Sequence, residues 1–148
     1  RVTYTNTGII VDEQNTPNTN SSRLKYFQQG GDMDVVENYE LFPQAGIMRE
    51  LVADKEGWVS KIKARQIGIA SQHTGAGRAT KEDSIDLAAG IYLNKKVGDR
   101  VEKGEVLPTF YGNDANKVIA GLETAREAFE ISDYEVNPPE LIKEIIGL

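Results

Sequence analysis

His73 is the only histidine of the chain and stands in the run Ser71-Gln72-His73-Thr74-Gly75. A histidine works as a general base when a partner orients its ring. No Asp or Glu lies beside this one, and the surrounding pattern places it at the end of a helix, as an exposed or helix-terminal group rather than a catalytic one. The next residues, Gly75-Ala76-Gly77-Arg78-Ala79-Thr80, imitate the opening of a dinucleotide-binding loop, in which glycines let the backbone approach a pyrophosphate. The third glycine is missing and no convincing strand precedes the run. It therefore reads as a loop whose glycines permit positive φ and whose Arg78 pairs with a carboxylate such as Glu82, Asp83 or Asp86. An independent enzyme built on His73 and Arg78 alone would have neither a nucleophile nor a binding cleft. Asp83-x-x-Asp86 lacks the glycine and the distal glutamate of a calcium loop, so no metal site is expected.

The most specific string by pattern is Val97-Gly98-Asp99-Arg100-Val101-Glu102-Lys103-Gly104-Glu105-Val106-Leu107. Its two glycines, with Val101, Val106 and Leu107 pointing inwards, specify a turn and a returning strand. Similar wording recurs in biotinyl and lipoyl carrier domains. The alternative function is therefore a carrier or barrel-sandwich interaction module, with Lys61, Lys81 or Lys95 as the acylated side chain. Such a lysine must sit at an exposed hairpin tip. Lys61 falls within a predicted strand and Lys81 follows a threonine, so neither fits.

The elements that position these residues follow from periodicity. Residues 1–22 are a polar arm or linker, rich in Asn and Thr, with one short alternating stretch and a tail from Gln14 to Ser22 that cannot repay its ordering entropy. Asn20-Ser21-Ser22 matches a glycosylation acceptor only formally. Ser22 can cap a short helix through Leu24, Tyr26 and Phe27, and Asp34 a second turn through Val35, Val36 and Tyr39, ended before Pro43. Ile47 to Ala53 is strand-like with apolar residues on both sides, so both faces are expected to be covered. Asp54-Lys55-Glu56-Gly57 then turns the chain into Trp58–Ile62 as the return strand of a hairpin. Ala64 to Gln72 predicts a helix, Thr80 and Asp83 a capping box, residues 90–93 a third strand, and residues 95–107 a tight hammerhead or hairpin. From Asn113 or Asp114, Val118, Leu122, Ala125 and Phe129 recur at helical spacing beside Ile119. Ile131 to Val136 reads as a final edge strand, and Pro138-Pro139 as the start of a last helix. Short strands mixed with helices indicate an α+β fold.

Composition agrees with a single domain of this kind. The chain has 148 residues, 39% hydrophobic and 27% charged, with 17 Lys+Arg against 23 Asp+Glu and a formal charge of −6. That deficit of cations argues against a nucleic-acid-coating protein. The absence of cysteine excludes thiol catalysis and thiolate zinc clusters. No apolar run is long enough to span a membrane, and the expectation is a soluble, cytoplasmic protein.

Taken in order, Asp54-Lys55-Glu56-Gly57-Trp58-Val59, Ile67-Gly68-Ile69-Ala70, Gly75-Ala76-Gly77-Arg78-Ala79-Thr80-Lys81-Glu82-Asp83-Ser84-Ile85-Asp86 and Gly90-Ile91-Tyr92-Leu93 leading into Lys95-Lys96-Val97-Gly98-Asp99 resemble the carboxy-terminal domain of pyrimidine-nucleoside phosphorylases, the family that includes thymidine phosphorylase. The resemblance reaches back through Gln29-Gly30-Gly31-Asp32 and Leu41-Phe42-Pro43-Gln44-Ala45, and so covers residues 23–148. It implies an α/β-hammerhead domain of an enzyme that cleaves a pyrimidine nucleoside with inorganic phosphate, giving the base and a pentose 1-phosphate. It also implies a cytoplasmic homodimer that needs no cofactor beyond that phosphate. The family's phosphate loop and base-binding helix lie in its amino-terminal domains, and no Thr-Gly-Gly loop or Ser-x-x-x-Lys helix occurs here. No catalytic, substrate-binding or metal residue is therefore carried over, and the chain's partners are the amino-terminal domains of the same enzyme. His73 and Thr74 depart from the family, which usually has apolar residues there. These departures bear on loop packing rather than on catalysis.

Overall fold

The computed structural model describes residues 3–4, 10–11, 30–31, 34–78 and 80–140. The linker from Gln14 to Ser22, the helix expected after Ser22, the body of the one expected after Pro138-Pro139 and the division at residue 22 lie outside the described residues. Thr3–Tyr4 (β1) pairs antiparallel with Ile10–Val11 (β2). Asp34–Glu37 (α1) forms one helical turn, and a 3-10 turn over Tyr39–Leu41 follows. The side chain of Asn38 caps that turn by accepting from Glu40 N–H at 3.1 Å.

Six further strands make two antiparallel sheets. Ile47–Val52 (β3), Val106–Gly112 (β7) and Gly90–Leu93 (β5) form the first, with β7 in the centre. Arg100–Val101 (β6), Gly57–Ile62 (β4) and Phe129–Ser132 (β8) form the second, around β4. Because β3 and β4 lie in different sheets, residues 54–57 are a corner and not the loop of a hairpin. What runs alongside residues 47–59 is the distant stretch 98–112. Ile47 to Glu50 face Gly112 to Thr109, and Val52 faces Val106. Ala53 then exchanges bonds with Glu105 O and Gly104 N at 2.9 and 2.8 Å, Gly57 and Trp58 face Val101 and Arg100, and Val59 closes the series on Asp99 O and Gly98 N. These contacts make one long ribbon that bends from the first sheet into the second, with a register shift between Glu50 and Val52 where a bulge increases the bend. The turns at Gly98 and Gly104 form as expected, but the short strand between them pairs with β4 and the one after them with β3 and β5. Residues 95–107 are therefore not a hairpin either.

Ala64–Ser71 (α2) and Ala115–Ala125 (α3) cover one face of the first sheet. Leu51, Ala70, Phe110, Val118 and Ala125 are buried there, with Ile47, Ile67, Ile91 and Leu122 against them. A second cluster, Ala53, Val59, Val101 and Leu107, fills the space between the sheets, and Phe129 packs on both. Burying each large apolar side chain contributes about 1.5–3 kcal/mol, so these two clusters hold the ribbon in its bent shape.

Asp114 caps α3 as its sequence position suggested, accepting from Asn116 N–H at 2.9 Å and Lys117 N–H at 3.2 Å. Asp114→Ala is expected to lower stability by about 1 kcal/mol, read as a shifted urea midpoint with unchanged slope, and Asp114→Asn to recover most of it. The helix ends earlier than its apolar spacing implied. A 3-10 turn over Arg126–Ala128 rotates Phe129 out of register, and Phe129 opens β8 instead. The edge strand consequently spans 129–132 rather than 131–136. Asp83 accepts from Thr80 N–H at 2.8 Å, but this closes a turn and no helix follows. The faces of β3 also differ from expectation, since Leu51 is buried while Met48 and Val52 are exposed. Mixed helices and antiparallel sheets make the fold α+β. Among the described residues no helix is long and apolar enough to cross a membrane.

Candidate functional site

The residues singled out for chemistry lie between the end of α2 and the start of β5. After Ser71 the helix widens into a turn over Gln72–Ala76. Thr74, only 1% exposed, points into the protein, and its hydroxyl donates to Ser71 O at 2.7 Å. A methyl-bearing but polar residue is tolerated there because its one hydroxyl proton has a partner. The wall behind it is Gly121 of α3, where an added Cβ would stand 2.7 Å from Thr74 Cγ2 and 2.8 Å from Ala70 O. The two helices thus approach almost backbone to backbone.

His73 lies on the outer side of the same turn, exposed, with Nδ1 2.9 Å from Thr124 Oγ1. The Thr124 hydroxyl already donates to Ala120 O at 2.8 Å, which leaves it to accept from His73 Nδ1–H. Gln66 Nε2 donates to Thr124 O at 3.1 Å, so His73 and Gln66 together clasp α2 to α3. At this helix end the ring has a structural task.

Arg78 does not reach the carboxylates proposed for it. Its carbonyl accepts from Gln72 Nε2, and the ion pairs among the described residues include none from its guanidinium. Asp86 is committed elsewhere. Its carboxylate accepts from Ala88 N–H at 3.0 Å, from Asn113 N–H at 3.2 Å and from Asn113 Nδ2 at 3.0 Å, while its own N–H donates to Gly75 O at 2.9 Å. Asn113 Oδ1 in turn accepts from Gly46 N–H at 2.8 Å. One amide therefore ties the loop before β5 to the entry of β3 and the exit of β7. Sequence reasoning missed this knot, because Asn113 looks locally like a helix-start residue and its partners are 27 and 67 positions away.

The candidate carrier lysines are also in structural surroundings. Lys61 lies inside β4 opposite Glu130. Lys81 occupies a turn between Thr80 and Asp83. Lys95 pairs with Glu105, whose carboxylate also accepts from Glu102 N–H at 3.0 Å. Hydrogen bonding from Lys95, and then from that N–H, holds the Glu105 carboxyl below the usual carboxylate range. A lowered folded-state pKa stabilises fully above the ordinary carboxylate range and is lost as pH falls through the lowered value. Unfolding curves taken at successively lower pH should accordingly show a shallower acid decline for Glu105→Gln than for the unchanged chain, with the two converging at the acid end.

Two surface concavities are lined by described residues. One of about 420 Å³ is lined by Arg100, Glu102, Lys103 and Glu105. The other, of about 390 Å³, opens between the sheets over Leu51, Leu107, Phe129 and Ile131. Neither includes His73 or Arg78 in its lining. Among the described residues no three His, Cys, Asp or Glu come together as metal ligands.

Residues 58–132 match the family profile described as the pyrimidine nucleoside phosphorylase C-terminal domain. The chain belongs to this family. Pyrimidine-nucleoside phosphorylases of Staphylococcus aureus strains MSSA476 and USA300 are 46% and 47% identical to it over 120 residues, covering 80% of this chain and 27% of each relative. The chain therefore spans about a quarter of the length of these curated relatives. The family match takes in β4 from its second residue, β5 to β8, both longer helices, Thr74 and the Asp86–Asn113 part of the knot. In this phosphorylase domain the Gly75–Arg78 run is thus the well-anchored connection between α2 and β5. The sequence resemblance to this family and the comparisons agree, and the carrier alternative gains no support from either.

Proposed function

We propose that residues 23–148 are the structural carboxy-terminal domain of an enzyme that uses inorganic phosphate to split pyrimidine nucleosides into base and pentose 1-phosphate, with residues 1–22 as a polar arm. The observation that carries this reading is the anchoring of the family-matched loop. His73 Nδ1, the Thr74 hydroxyl and the Asp86 carboxylate hold α2, α3 and the first sheet together, and neither of the two concavities described above is lined by them. Phosphorolysis needs donors that hold phosphate and groups that stabilise the departing pyrimidine while positive charge develops on the sugar. On this reading those groups belong to the amino-terminal domains of the same polypeptide, which are the chain's partners in a cytoplasmic homodimer, and phosphate is a co-substrate rather than a bound cofactor. The ribbon bent through both sheets, with helices on one face, supports an α/β-hammerhead as the finer description of the fold. Thymidine and uridine should be turned over with phosphate by the full-length polypeptide and not by the 148 residues alone. Turnover by the purified 148-residue chain would overturn the assignment.

A further inference from the structure

The second sheet carries an outer strand on each side of β4, and the chain that leaves one of them returns to the other. Ser132 of β8 and Arg100 of β6 both lie opposite Trp58, one on each side. β6 is two residues long, and among the described residues β4 is its only strand neighbour. The turn before it, residues 96–99, is pinned to β4 by Gly98 N–H donating to Val59 O and Val59 N–H donating to Asp99 O, each at 2.9 Å. Gly98 also meets the segment that follows β8. A Cβ there, where φ is +97°, would stand 2.9 Å from Pro138 N, 3.0 Å from Pro138 Cδ and 3.1 Å from Pro138 Cα. Residues 133–138 therefore run from one edge strand to the turn that starts the other, and pass β4 on the way. Lys55 Nζ holds the first of them, Asp133, at 3.0 Å. Val136 alone among them is half-buried, and the rest are exposed.

We propose that residues 133–138 are a strap that latches the second sheet, and that the turn 96–99 opens together with β6 as a local unit when the strap lifts. The grip of the strap is a close backbone approach at a glycine, not the burial of a large apolar surface. Its ion pair with Lys55 is exposed on both sides and contributes little. Segments with few buried contacts open at a lower free energy than the whole domain. The first sheet has its own buried cluster around Phe110 and Val118, so the opening stops short of it. Lifting the strap releases the N–H and C=O of Val59 on the β6 side, and the strap thereby controls whether that side of β4 is paired. Val101, fully buried between the sheets, draws β6 back when the strap reseats.

Hydrogen exchange in the full-length polypeptide, read by peptide mass spectrometry, tests this. A variant lacking residues 133–148 should exchange the amides of Val59 and Gly98 about 10-fold or more faster, while those of β7 keep their protection. Exchange at Val59 and Gly98 within about twofold of the unaltered protein overturns the proposal. So does loss of protection in β7, which would make the segment part of the whole fold and not a latch on one sheet. Gly98→Ala gives a second reading. In the intact protein the added methyl must displace Pro138, whereas in the shortened variant it meets only its unfavourable φ. The substitution should therefore accelerate exchange at Val59 at least about 5-fold more in the intact protein than in the shortened one, and equal acceleration in both overturns the proposal. Gly104→Ala has a comparable φ of +87° but no atom within 4 Å of its added Cβ. It should act alike with and without residues 133–148. An unequal effect there as well would trace to the deletion and not to Pro138, and would overturn the proposal.

Discussion

Phe110→Ala is expected to lower the unfolding free energy by about 3–5 kcal/mol. Phe110 is fully buried in the central strand of the first sheet, with Arg49 and Ile91 as its cross-strand neighbours. It shares its cluster with Ala70 of α2 and Val118 of α3, both fully buried. Truncation removes the ring's transfer energy and leaves a void that two closely packed helices cannot collapse into, since Gly121 already sets their separation. Total stabilities of single domains lie near 5–15 kcal/mol, so about this much loss would leave a sizeable unfolded fraction in dilute urea. Trp58, the only tryptophan, sits in the second sheet and reports the transition by fluorescence from outside the altered cluster. Phe110→Leu, which keeps most of the volume, should retain most of the stability. Equal losses for both variants would show that the ring's size is not what the core depends on.

How much of this was legible beforehand follows the range of the interactions. The helix from Ala115, the strand from Gly90 to Leu93 and the turns at Gly98 and Gly104 were readable because caps, periodicity and turn residues act within a few positions. The pairing of residues 47–59 with 98–112 was not, because a corner at Asp54–Gly57 carries the same turn residues as a hairpin loop while its partners lie some 50 positions away. Phe129 misled for a related reason. It continues an apolar helical spacing, and only the 3-10 turn before it shows that the period has been broken. At the candidate site, the exposed, helix-end place of His73 was visible in its neighbours. Glu82, Asp83 and Asp86 were all offered to Arg78, and the last of them is taken by Asn113, a partner supplied by the end of β7. The apolar residues on both faces of β3 are a separate case, since the pattern predicts cover that the described residues do not provide at Met48.

Gly57→Ala should be about as damaging as the loss of Phe110, for the opposite reason. Gly57 opens β4 at the corner where the ribbon passes between sheets, with φ at +149°, a setting side chains with a Cβ rarely adopt. The Cβ would also stand 2.4 Å from Ser132 O and 2.7 Å from Ile131 Cγ2. Backbone strain of about 1–3 kcal/mol adds to overpacking of about 1–3 kcal/mol, and the obstructing oxygen belongs to the neighbouring strand's backbone, which cannot rotate away as a side chain would. Gly104→Ala separates these contributions. Its φ of +87° is also unfavourable, but no atom lies within 4 Å of the added Cβ, so only conformational strain of about 1–2 kcal/mol is expected. Urea unfolding of the two variants side by side should give a clearly larger loss at Gly57, together with faster amide exchange in β4 and β8. If both cost the same, contact with Ser132 is not what selects glycine at the corner, and the close approach of β8 to β4 there is looser than the packing implies.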